Sequence, residues 1–159
     1  MKFLTRILSV AVLGAIASLY MACDGDDPTK TAEEIQFEKL NSSWAITSAN
    51  DGTDRSGDFP GLVLTVSGTF QPGQTYNYSL SGTRPNPSPW PANGTWKFGT
   101  DPNVDIIRDP GSISETSMKY TVTDNTLTLE FNVPEGSNGW PGGKIESVEG
   151  DWTFVFSKQ

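Results

Sequence analysis

The chain has no histidine and only one cysteine, Cys23, among its 159 residues. Without an imidazole it lacks the commonest general base, the commonest transition-metal ligand and the side chain that titrates near neutral pH. A lone cysteine cannot close an intramolecular disulfide, so the fold must rest on its core. Positive charge is also scarce. Eleven Lys and Arg stand against 19 Asp and Glu, a formal net charge of −8. Such a surface repels phosphate backbones and excludes nucleic acid as the expected partner. It offers no electrostatic pull toward anionic membranes either. The main uncharged apolar stretch, Ile7–Leu19, spans 13 residues, and a membrane-crossing helix needs about 20.

That stretch has a different use. Lys2 and Arg6 precede it, and Ala22 and Cys23 follow it. Charged start, apolar centre and small residue before a cut make residues 1–22 a secretory signal peptide. A cysteine at the cut resembles the lipobox of bacterial lipoproteins, which implies a diacylglyceryl group on Cys23. Ala22 fits that motif; Tyr20 and Met21 stand where Leu and a small residue are usual, with Leu19 one place earlier. Asp24-Gly25-Asp26-Asp27 and Pro28 follow, and clustered like charges resist folding, so residues 23–30 read as a disordered tether. The acidic tetrad resembles the surface-export signal of Bacteroidetes lipoproteins. The expected place is the bacterial outer membrane, lipid-anchored and exposed at the cell surface. Eleven basic residues less Lys2 and Arg6 leave nine against 19 acidic ones, so the mature charge is −10.

Beyond the tether the pattern is almost wholly that of strands. One helix is expected: Thr31 and Glu34 have capping-box spacing, and Ile35, Phe37 and Leu40 share a side before Asn41. From Trp44 onward apolar residues alternate by twos, the mark of strands with one buried face. Leu62-Leu64-Val66, Tyr76-Tyr78-Leu80, Trp96-Phe98, Val104-Ile106, Met118-Tyr120-Val122, Leu127-Leu129-Phe131-Val133 and Trp152-Phe154-Phe156 carry the pattern. Gln71-Pro72-Gly73-Gln74 and Asp109-Pro110-Gly111 have the residue order of type II turns, and Asp124-Asn125 reads as a two-residue hairpin. About eight strands, each with one apolar face, predict a small antiparallel up-and-down β-barrel with a short N-terminal helix. A β-sandwich is the alternative.

Leu40-x-x-x-Trp44 after the helix, Gly94-Thr95-Trp96-Lys97-Phe98, Ile106-Ile107-Arg108-Asp109 and Tyr120 through Phe131 resemble the lipocalin-like domains of Bacteroidetes lipoproteins, and Trp152-Thr153-Phe154 closes the likeness. It spans residues 32–159. The Gly-x-Trp of true lipocalins is replaced by Ser42-Ser43-Trp44. The resemblance implies a barrel over 31–159 and the binding of a small apolar or amphipathic ligand.

Candidate binding residues are few. Trp90 and Trp140 each precede a proline on Pro/Gly-rich linkers, where a stiff aromatic face can meet a sugar ring or partner. The other expectation for each is a plug over one barrel end. Arg108 shares the strand parity of Ile106 and could meet an anionic head group at the rim; the other expectation is a surface ion pair with Asp109 or Asp105. Asp51, Asp54 and Asp58 cluster without EF-hand spacing and around Arg55, so they read as a solvated turn and no metal is expected. No carboxylate pair or activated serine marks a catalytic centre, so neither enzyme activity nor a cofactor is expected. Two readings remain. The first is a carrier with ligand inside the barrel, marked by a lumen of roughly 300 Å³ or more and removed by a packed interior. The second is a surface-displayed glycan- or protein-interaction module using loop tryptophans.

Overall fold

The computed structural model describes residues 29–134 and 148–159. Cys23, Trp140 and the leader and most of the tether lie outside those residues. Helix α1 (Ala32–Leu40) leads into eight strands: β1 (Ser43–Asn50), β2 (Val63–Ser67), β3 (Tyr76–Ser81), β4 (Asn93–Phe98), β5 (Asp105–Arg108), β6 (Thr116–Val122), β7 (Thr126–Val133) and β8 (Gly150–Lys158). Each pairs antiparallel with the next, and β8 pairs back onto β1 to close the barrel. No strand edge is left open, and the sandwich alternative is excluded.

The local chemistry follows the sequence closely. The Thr31 hydroxyl accepts from Glu34 N at 3.1 Å and caps α1. Phe37 and Leu40 are buried, but Ile35 is 41% exposed, so the apolar side of the helix is narrower than expected. Inside the barrel, Trp44, Trp152, Phe154 and Phe156 are almost wholly buried. In β1 the alternation breaks: Ile46 pairs with Phe156 and Ser48 with Val155, a bulge that turns Ala49 inward. A bulge adds one residue and flips the faces beyond it. The β6–β7 hairpin turns at Asp124-Asn125 without a left-handed residue. Thr123 Oγ1 instead accepts from Thr126 N at 3.0 Å, and Thr123 N donates to Thr126 O.

The up-and-down order puts the connections at alternate ends. One end carries α1 and the segments 68–75, 99–104 and 123–125. The other carries 51–62, 82–92 and 109–115. At the helix end Phe37 lies 4.5 Å from the Tyr76 ring, and Trp44 Nε1 donates to Leu40 O at 3.0 Å. At the loop end Phe59 packs edge-on to Phe154 at 5.1 Å.

Candidate functional site

The loop end is built around the segment from Gly82 to Asn93, which reads Gly-Thr-Arg-Pro-Asn-Pro-Ser-Pro-Trp-Pro-Ala-Asn. Each proline fixes φ and removes a backbone N–H, so this segment is held through its carbonyls. Trp90 O accepts from Arg84 Nη1 at 2.8 Å and from Ser88 Oγ at 3.0 Å. Pro89 O accepts from Arg108 Nη1 at 3.2 Å. The segment joins the sheet where Leu80 N donates to Ala92 O.

These bonds set Trp90 across the barrel mouth with its ring turned inward. It is 3% exposed and meets Phe131 and Phe154 edge-on, each at 5.5 Å. Of the two expectations for Trp90, the structure gives the plug and not the outward aromatic face. Burying a flat indole among aromatic edges gains more than leaving it in water. Its Nε1 is buried and has no hydrogen-bond partner among the described residues.

Arg108 pairs with Asp109, one of its two expected uses, but does so buried rather than at the surface. It points inward with Ile106, as its parity requires, but it is 1% exposed rather than seated at an open rim. Val104, taken as part of the same row, precedes the strand and is 40% exposed. Besides Pro89 O, Arg108 Nη2 donates to Thr116 Oγ1 at 2.9 Å, and Nε lies 3.5 Å from Asp109 Oδ2. Its guanidinium sits over the Trp90 and Phe131 rings at 5.5 and 5.2 Å, a cation–π arrangement. Burial pulls its pKa down to about 10, against the attraction of Tyr78 and Asp109. It remains a cation near neutrality and fastens the loop.

Asp109 completes this anchor. Its backbone is left-handed at φ 50, and its carboxylate accepts from Thr95 N at 2.9 Å and from the Tyr78 hydroxyl at 3.1 Å. Burial, and then the Asp109 charge, push the Tyr78 phenol well above its ordinary range, against the pull of Arg108. The carboxylate fits only because residue 94 is glycine. A Cβ there would stand 2.0 Å from Asp109 Oδ1.

Three spaces surround this arrangement. The lumen, between Trp90, Arg108, Leu40, Met118 and Leu129, holds about 30 Å³. That is about the volume of one water molecule. On the outer face of β5–β8 lies a groove of about 590 Å³. The cross-strand row Asp105-Lys119-Glu130-Thr153 and the pairs Ile107-Ser117 and Asn132-Asp151 floor it. Lys119 is tied to Asp105, and Asn132 to Asp151. The third space is an open hollow of about 670 Å³ in the proline-rich segment itself, lined by Thr83, Arg84, Asn86, Ser88, Asn93 and the back of Trp90.

The acidic cluster at 51–58 forms a turn, as expected. Arg55 bridges Asp51 at 2.9 Å and Asp58 at 2.7 Å, and Asp54 accepts from Ser56 N and Oγ. Among the described residues no group of three His, Cys, Asp or Glu could hold a metal, and no helix is long and apolar enough to cross a membrane. Arg84 went unnoticed in the sequence. Its signal was there: it is the only charged residue from Gly82 to Asn93 in a strongly acidic chain. Comparison with known protein families, curated proteins and solved structures finds no match.

Proposed function

We propose that this chain is a lipid-anchored envelope protein whose lipocalin-like barrel displays a binding surface at its loop end, outside the lumen. The leader, the cysteine at its cut point and the acidic tether support anchoring at the outer membrane through Cys23. The strand grammar supports the lipocalin-like likeness. The observation that carries the binding reading is the contrast in space. The lumen holds about 30 Å³, whereas the hollow of the β3–β4 segment holds about 670 Å³. Ligand sites occupy some 300–1,000 Å³. A carrier needs room that the closed barrel does not provide, because its own aromatic side chains fill it.

The hollow suits recognition for a second reason. Carbonyl pins and prolines hold its frame before any ligand arrives, which lowers the ordering cost of binding. Polar side chains converge there, so a glycan or a polar segment of a partner protein is the class of ligand. Loops on a rigid scaffold are where binding residues concentrate.

Two measurements test this reading. Native mass spectrometry of the full-length protein from its host should show an acyl mass on Cys23 and no retained small molecule. A panel of glycans and envelope extracts should show binding that drops on Asn86→Ala plus Ser88→Ala. A co-purified lipophilic molecule, or binding indifferent to those substitutions, would return the function to the lumen or to another face.

A further inference from the structure

We infer that the hollow between Gly82 and Asn93 recognises an anionic sugar unit, one that carries a carboxylate or phosphate beside its hydroxyls, with Arg84 taking the anion. This rests on the loop-end binding reading above and names its ligand.

The first ground is charge. The chain carries a net −8, yet among the described residues no Asp or Glu lines this hollow, and Arg84 does. Arg108 lies behind the loop and donates to Pro89 O, but the neighbouring Asp109 carboxylate offsets its charge. Among the described lining residues Arg84 is therefore the one formal charge, and it is positive. Neutral sugars gain nothing from that field, and anions do.

The second ground is geometry. Arg84 spends Nη1 on Trp90 O, which fixes the plane of its guanidinium. Among the described residues its other donors have no protein partner. A held, half-buried guanidinium with open donors matches the two oxygens of a carboxylate or phosphate. Asn86 and Asn93 are exposed, and Thr83 and Ser88 supply hydroxyls. Amides and hydroxyls around one cation give donors and acceptors for ring hydroxyls. The space of about 670 Å³ admits a sugar unit in the context of a longer glycan.

The groove on β5–β8 offers a useful contrast. It is of similar size but lined by Asp105, Glu130 and Asp151, so the same anion would be repelled there.

The test is calorimetric titration of the full-length protein, in neutral detergent, with D-glucuronate, D-glucose 6-phosphate and D-glucose. Glucuronate, the phosphate or both should bind at least about tenfold more tightly than glucose, the scale of one charge-assisted hydrogen bond. Which of the two binds names the source of the anion. Arg84→Gln should erase that preference. Because Arg84 also pins Trp90 O, Asn93→Asp serves as the second variant: it leaves the pin and adds a carboxylate to the hollow. It should weaken the charged ligands about tenfold more than it weakens glucose, with thermal unfolding unaltered. Glucose binding as tightly as the charged sugars, with loss on Ser88→Ala, would overturn the anion inference and keep the loop-end reading. A preference for charged sugars that survives both Arg84→Gln and Asn93→Asp would overturn the assignment to this hollow. Absence of binding in all three arms would overturn the inference, and the glycan and extract panel would then judge the broader reading.

Discussion

The two ends of the barrel are closed by the same kind of material in different ways. At the helix end, Phe37 and Leu40 enter on a regular, capped helix and pack among Tyr76, Trp96 and Phe70. That seal is mostly apolar contact. At the loop end, Trp90 enters on a chain with few backbone donors and is held by Arg84, Ser88 and Arg108 through carbonyl oxygens. One end is a piece of core, and the other is a frame fastened by polar bonds. The difference bears on the proposed binding: the polar frame sets Arg84, Asn86, Ser88 and Asn93 around one hollow, whereas the helix end is closed by aromatic packing.

The largest effect should come from breaking the apolar seal. Phe37→Ala removes a buried ring that meets three other aromatic rings, and its cost should be about 3–5 kcal/mol in urea unfolding. Binding by the surviving folded fraction should be unchanged. A loss of less than about 1 kcal/mol would mean that the helix is not part of the core, because ordinary surface changes lie within about 0.5 kcal/mol.

Gly94→Ala probes the polar frame. The new Cβ would stand 2.0 Å from Asp109 Oδ1 and 2.7 Å from the Tyr78 hydroxyl. Displacing that carboxylate should cost about 1–3 kcal/mol, less than the helix-end truncation. The Thr95 amide, which donates to Asp109 Oδ1, should lose its hydrogen-exchange protection first. Protection that stays while global stability falls would place the strain elsewhere.

Thr31→Ala tests the regularity of the helix end alone. It deletes the hydroxyl that accepts from Glu34 N and should cost about 1 kcal/mol, the usual value of an N-cap. Unfolding should remain a single transition, and sugar binding at the far end should not move.

What the sequence made legible follows the same division. Period-two alternation marked the inward rows of β6, β7 and β8, because a half-buried strand has no other way to place its apolar side chains. Thr31 marked the helix start because the capping interaction is local. The β1 bulge was not legible, since Thr47 and Ser48 look alike as outward residues and pairing with β8 decides between them. Trp90 and Arg108 were picked out by type and position, but their directions depend on each other. Pro89 O, between them in space, lies 19 residues from Arg108 in the chain. Arg84 was visible only as a charge in an uncharged segment, and its meaning came from the hollow that the fold shapes around it.

The smallest expected effect concerns the neighbouring loop at this end, where acid supplies a control. Burial acts to raise the Asp51 pKa, but the Thr53 hydroxyl and amide and the Arg55 cation outweigh it and hold Asp51 below its ordinary 3.8. A carboxylate with a lowered folded value stabilises the native state above the unfolded value, and that contribution fades as pH falls through the folded one. The turn at 51–58 should therefore persist as pH drops to 3.8 and loosen only below it. Arg55→Gln should move the Asp51 midpoint upward, seen by carboxyl NMR titration, and 1 M salt should do part of the same, because Arg55 is partly exposed and its charge is screened. The anionic-sugar preference should not follow this titration, since none of the three aspartates lines the hollow. A preference that rises and falls with the Asp51 midpoint would show that the two loops act as one surface, and the polar frame would then extend beyond the β3–β4 segment.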